Sequence, residues 1–188
     1  DELVKLHKQN IVIKVYLDEY QAGLSYNEFD DNLRSQGIEV NTIYVGTAEN
    51  SSMHNKFAII DNKTVLTGTM NWSTTSFDSN YEHFFKITHQ VIVKQFIQLF
   101  ESIENKTDTI TFENDNENFA VFFAPHESLQ PLILTEIKKA EKNIYLIMYH
   151  LNQKELVNEL ISAHDRGVKL IIVLDKRQHK TEHSDEDL

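Results

Sequence analysis

Residues 53–82, M-H-N-K-F-A-I-I-D-N-K-T-V-L-T-G-T-M-N-W-S-T-T-S-F-D-S-N-Y-E, constrain the fold more than any other stretch of the chain. An apolar run from Phe57 to Ile60 meets the turn residues Asp61-Asn62-Lys63, and Thr64 to Thr67 then reads as a returning strand. That order predicts a β-hairpin. His54 and Lys56 stand two apart at its mouth, and residues two apart share a face of an extended strand. The spacing predicts an imidazole and an ammonium aimed at one target, with Phe57 and Ile59 facing the core. Gly68 allows the backbone a tight path out of the second strand. Asn71 then offers an amide, and Asn80 and Glu82, again two apart, read as sharing one strand face.

These residue types together suit attack on a phosphodiester. A histidine can bond to phosphorus and later leave, which divides one hard step into two easier ones. Lys56 and Asn71 can stabilise charge that develops on phosphoryl oxygens. A carboxylate, here Glu82, can fix the tautomer of the imidazole through its other ring nitrogen.

The pattern H-x-K-x4-D-x6-G-T-x-N followed by N-x-E resembles the phospholipase D superfamily, and it is met at His54, Lys56, Asp61, Gly68, Asn71, Asn80 and Glu82. The one departure is Thr69 where serine is usual, and the hydroxyl is kept. The wording M-H-N-K-F-A-I-I-D and G-T-M-N-W-S is most similar to the nuclease-like branch, the bacterial endonucleases and mitochondrial cardiolipin hydrolase proteins. The resemblance implies a metal-independent phosphodiesterase without cofactors, with His54, Lys56, Asn71 and Glu82 at the catalytic centre. Asp61, Gly68, Thr69 and Asn80 are then structural, with Asp61 held in hydrogen bonds and ion pairs below the site. It also implies that two H-x-K motifs meet across a pseudo-twofold axis, one histidine attacking phosphorus and the other protonating the leaving oxygen.

Composition narrows the alternatives. No apolar run approaches the roughly 20 residues of a membrane-spanning helix, so the chain reads as soluble, with the cytoplasm as the default compartment. The absence of cysteine removes disulfides and thiolate metal sites. A formal charge of −11 opposes binding to nucleic acid. Part of it lies away from the motif, at Glu113, Asp115 and Glu117 and at Glu182, Asp185, Glu186 and Asp187.

Before the motif, Asp1–Lys8 reads as the end of a helix, Ile11–Leu17 as a strand and residues 19–26 as a loop. A helix from Tyr26 or Asn27 to Gln36 turns Phe29 and Leu33 inward and is closed by Gly37. A second strand holds Ile38, Val40 and Ile43. After the motif come a strand near 80–87 and a helix over 90–104 with Val93, Phe96, Ile97, Phe100 and Ile103 as its core stripe. Residues 105–118 read as a polar linker and Phe119–Phe123 as a strand. A helix over Leu129–Lys142 carries Leu132, Ile133, Ile137 and Ala140. A buried strand over Ile144–Tyr149, a helix over Lys154–Asp165 and a strand over Val168–Leu174 complete the reading.

The last of these segments repeats the first. With an offset of 157 residues, Asp175 falls on Asp18, and Glu159, Leu160, His164 and Leu174 fall on identical residues Glu2, Leu3, His7 and Leu17. The expected architecture is α/β, a phospholipase D-like mixed β-sheet flanked by helices. It is present as the end of one repeat (1–104) followed, after the linker, by the start of a second (119–188). A second H-x-K would fall near position 211, beyond Leu188. The expectation is a fragment of a two-repeat protein, or a homodimer whose chains complete one another.

Several other residues are weighed here. His179–His183 matches H-x-x-E-H, a zinc-peptidase pattern, but lies in a polar acidic segment and reads as a chance match. His83 should be packed or solvated, Trp72 should pack beneath the site loop, and His150, at a strand end, is a weak candidate for contact with substrate phosphate. The leading substrate is nucleic-acid backbone. The alternatives are the headgroup phosphodiester of a glycerophospholipid and a catalytically silent assembly module.

Overall fold

The computed structural model describes residues 2–24, 28–45, 51–107 and 119–178, in two compact units, 1–88 and 89–188. The fold is mixed α/β. The linker segment 108–118, the H-x-x-E-H segment and the expected helix start at Tyr26 or Asn27 lie outside the described residues.

In the first unit, α1 (Glu2–Lys8) leads into β1 (Lys14–Asp18), which continues directly into the single turn α2 (Glu19–Ala22). This turn stands where a loop is expected, because the Asp18 side chain accepts the Gln21 N–H and caps it. α3 (Phe29–Ser35) follows, then β2 (Glu39–Ile43), which pairs parallel with β1 from Lys14↔Glu39 to Asp18↔Ile43. Gly37, at φ 84°, takes the left-handed conformation that stops α3. Phe29 does not face inward and is 79% exposed. The buried position on this helix is Asp30, whose Oδ2 accepts from Arg34 Nη1 at 2.7 Å.

The expected hairpin forms. β3 (Phe57–Ile60) and β4 (Thr64–Gly68) pair antiparallel, and β5 (Phe84–Ile87) adds to the far side of β4. The turn closes through the Lys63 N–H to the Ile60 carbonyl at 3.0 Å. Asp61 and Asn62 both have positive φ, as a type I′ turn requires. Val65, on the central strand, is fully buried. Between β4 and β5 lies α4 (Thr74–Asp78), capped by Ser73, whose hydroxyl accepts the Ser76 N–H.

In the second unit, α5 (Gln90–Asn105) buries Ile92, Val93, Phe96 and Leu99, a stripe rotated towards the helix start from the one expected. Phe96 meets Phe123 edge-on, ring centroids 5.0 Å apart. Phe119–Phe123 is not a strand, and Phe123 is fixed instead by this ring contact and by its N–H donating to Glu127. α6 (Leu129–Lys139) and α7 (Lys154–Asp165) pack on the parallel pair β6 (Asn143–Met148) and β7 (Lys169–Leu174). Ile137, Leu151, Val157, Leu160, Ala163 and Val168 form the core there. Leu132 and Ile133 stay exposed on α6. β6 alternates rather than being buried on both sides, since Ile144 and Leu146 pack on the core while Ile147 is 80% exposed.

The two halves share local geometry at the 157-residue offset. The Asn10 N–H donates to the His7 carbonyl and Ile11 to Leu6; likewise Gly167 donates to His164 and Val168 to Ala163. Asn10 and Gly167 both have positive φ.

Candidate active site

The site residues come from three places in the first unit: the segment before β3, the end of β4, and the loop between α4 and β5. His54 and Lys56 lie just before β3, so their common direction is not set by strand alternation. Two other contacts hold them. Lys56 Nζ donates to the His54 carbonyl at 2.6 Å, and the Lys56 carbonyl accepts from Thr67 Oγ1 on β4 at 3.0 Å. His54 is exposed and Lys56 half-buried.

Gly68 ends β4 opposite Phe84. A Cβ at this position would lie 2.2 Å from the His83 carbonyl oxygen and 3.0 Å from Phe84 Cα, so the requirement is close approach of two backbones. Gly68→Ala should therefore cost about 1–3 kcal/mol through strain in the β4–β5 pairing, measurable as a lower denaturant midpoint in urea. A stability equal to wild type would show that the strands can separate without cost.

Thr69, where serine is usual in the resembling motif, joins β4 to the Glu82 loop. Its hydroxyl donates to Glu82 Oε2 at 2.5 Å and accepts the His83 N–H at 3.1 Å, while its own N–H donates to the His83 carbonyl at 3.2 Å. Asn80 Nδ2 donates to Glu82 Oε1 at 3.1 Å. Asn80 and Glu82 thus meet as expected, although they lie in the loop before β5 rather than on a strand. The Thr69 bond, then the Asn80 bond, hold the Glu82 carboxyl below its usual range; burial opposes them, and a Ser76 bond and the His83 charge add to them.

No described contact joins Glu82 to His54. The described bonds of Glu82 go to Thr69, Asn80 and Ser76, and its charge acts on Lys56. The acid whose charge acts on His54 is Asp18, at the end of β1. Asp18 is far from the motif along the chain, so only the D that ends the strand marks it before the fold is known. Burial, then the Lys56 charge, push the His54 pKa below its ordinary value, and Asp18 opposes them. Burial also lowers the Lys56 pKa, which the Glu82 charge partly restores.

Asn71 is exposed, and no described contact joins it to the cluster. Asp61 is exposed in the hairpin turn and makes no ion pair among the described residues, so its structural part is to tolerate positive φ. Trp72 is 59% exposed and is not packed beneath the loop. The His83 ring meets Phe85 edge-on at 5.4 Å. His150 lies in the second unit, half-buried, with Nδ1 unpartnered. No group of acidic residues and histidines able to hold a metal occurs among the described residues.

Fold and motif together place the chain in the phospholipase D superfamily. More narrowly, it belongs to the family described as cardiolipin synthase, PLD-like domain, which matches residues 1–104 and 133–187. It is 31% identical over 110 residues to the mitochondrial cardiolipin hydrolase of Xenopus laevis, covering 58% of this chain and 50% of that protein. With the human mitochondrial cardiolipin hydrolase the identity is 28% over 123 residues, covering 65% of this chain and 44% of the relative. The chain thus spans about half the length of the curated relatives it matches. Among solved structures, NucT from Helicobacter pylori superposes with a TM-score of 0.51 at 21% identity, covering 54% of this chain and 67% of that one. The polyphosphate kinase of Porphyromonas gingivalis superposes with a TM-score of 0.60 at 16% identity, covering 88% of this chain and 26% of that one. These two likenesses concern the fold alone. No helix among the described residues is long and apolar enough to cross a membrane.

Proposed function

We propose that the protein is a phosphodiesterase in which His54 bonds to phosphorus, so that hydrolysis proceeds through a phosphohistidine and needs no metal ion. The observation that carries this reading is the cluster itself. An exposed imidazole held towards its neutral form stands beside a half-buried ammonium, next to a carboxylate kept ionised by Thr69 and Asn80. A neutral imidazole is the nucleophilic form. Lys56 and Asn71 stabilise the charge on the phosphoryl oxygens. A second H-x-K segment, from a further repeat or from a second copy of the chain, supplies the acid for the leaving oxygen. The shared helix-end geometry at Asn10 and Gly167 supports reading residues 1–104 and 119–188 as parts of two successive repeats.

The substrate we favour is nucleic-acid backbone. The exposed rings of Trp72, Phe77 and Tyr81 flank Asn71 and Asn80 in sequence and offer surface on which bases stack. The same rings suit acyl chains, and the names of the mitochondrial relatives favour a glycerophospholipid, so that reading is retained as the second. Hydrolysis of single-stranded DNA and of cardiolipin vesicles, each in excess EDTA, separates them. Cleavage of the DNA that weakens steeply with added salt is expected; turnover of the vesicles alone would select the phospholipid, and loss of both in EDTA would refute the metal-free mechanism.

A further inference from the structure

Asp18 uses its two carboxylate oxygens for different purposes. Oδ1 accepts the Gln21 N–H at 3.0 Å and caps α2. Such a turn needs one oxygen only, as Asp175 demonstrates at the equivalent position, where Oδ1 accepts from Arg177 at 2.9 Å and Gln178 at 3.3 Å. The second oxygen of Asp18 reaches across 35 residues of sequence, and Oδ2 accepts the Met53 N–H at 2.9 Å. Met53 is the residue immediately before His54, and among the described residues its segment has no strand partner before Phe57.

We propose that Asp18 is a positioning residue for His54, mooring the histidine-bearing segment to the end of β1 through the Met53 amide and placing a negative charge beside the imidazole. This deepens the reading of His54 as the attacking base, and only its kinetic arm rests on that reading. A carboxylate accepting a backbone N–H makes a charge-assisted bond, stronger than a neutral one. It holds the segment at a point from which a small displacement would carry the imidazole off its line of attack. The charge has a defined direction too. Lys56 and burial lower the His54 pKa and Asp18 raises it, while Glu82 acts on Lys56, and His83 on Glu82.

The test is Asp18→Asn in the full chain. The asparagine Oδ1 can still cap α2, whereas its Nδ2 cannot accept from Met53. The His54 ring, assigned by the signal missing in His54→Asn, is titrated by NMR in wild type and variant. The expected result is a lower His54 midpoint in the variant, with loss of the hydrogen-bonded shift of the Met53 amide. An unchanged or raised midpoint, or an unchanged amide, would overturn the proposal. Should the variant not fold, the wild-type Met53 amide decides: a scalar coupling across the hydrogen bond, from the Met53 amide nitrogen to the Asp18 carboxyl carbon, should be seen by NMR, and its absence overturns the proposal.

The kinetic arm uses bis-p-nitrophenyl phosphate. Asp18→Asn should lower kcat about ten- to a hundredfold with little change in KM, and move the acid limb of the rate profile to lower pH. A fall in rate with the limb unmoved would indicate a merely structural part and overturn the proposal. If the wild-type protein, with its second H-x-K segment in place, does not turn over this diester, the phosphodiesterase reading fails on its own and the titration still decides for Asp18.

Discussion

His54→Asn should abolish phosphodiester hydrolysis while leaving the protein folded. The imidazole can bond to phosphorus and then leave, and asparagine can do neither. A loss of about four orders of magnitude or more in kcat is expected, the scale seen when a nucleophile is removed. His54 is exposed and packs into no core, so stability should change by no more than about 0.5 kcal/mol. The wild-type rate should fall with acid as the imidazole is protonated. Because burial and Lys56 push that pKa down, the neutral form persists below the ordinary histidine midpoint, and the acid limb should lie below about 6.5. An acid limb above that value would mean that another group controls the rate.

Lys56→Met carries the second large effect. The ammonium is half-buried, donates to the His54 carbonyl at 2.6 Å and is balanced by Glu82. Removing a preorganised positive group that faces developing phosphoryl charge costs about 10²–10³ in kcat. Methionine keeps the unbranched stem, so packing is retained. Folding should tolerate the change, since the desolvation cost of the ammonium disappears with its charge. The acid limb should move up in this variant, because Lys56 lowers the His54 pKa. That shift is opposite to the one expected for Asp18→Asn. Kinetics across pH check both at once, and a limb that moves the same way in both would contradict the charge arrangement.

The hairpin, its turn and the Gly68 crossing were legible because each rests on local chemistry: an apolar run, residues tolerant of positive φ, and a residue without Cβ. α7 has the bounds expected for it, and Gly167, at φ 93°, follows its end in the left-handed conformation. Burial was less legible. Phe29, Leu132 and Ile133 sit on apolar stripes, but spacing shows which face is apolar and not whether anything covers it. Phe119–Phe123 has the composition of a strand, yet a strand needs a ladder partner, and Phe123 found a ring and a carboxylate instead. In the site, Asn80 and Glu82 meet, in a loop and not on the expected strand face, and Thr69 joins them from the end of β4. The acid acting on His54 was hidden because it is Asp18, brought there by the fold rather than by the motif. Motif spacing reports residues close along the chain, and partners that arrive from another strand leave no such trace.

The most direct measurement is to trap the covalent intermediate. In excess EDTA, a ring nitrogen of His54 displaces p-nitrophenolate from bis-p-nitrophenyl phosphate, the departing oxygen keeping the electron pair of the broken P–O bond. Rapid alkaline quenching followed by peptide mass spectrometry should then find a p-nitrophenyl phosphoryl group on His54. Continued turnover with His54 unmodified and the adduct on another residue would contradict the account.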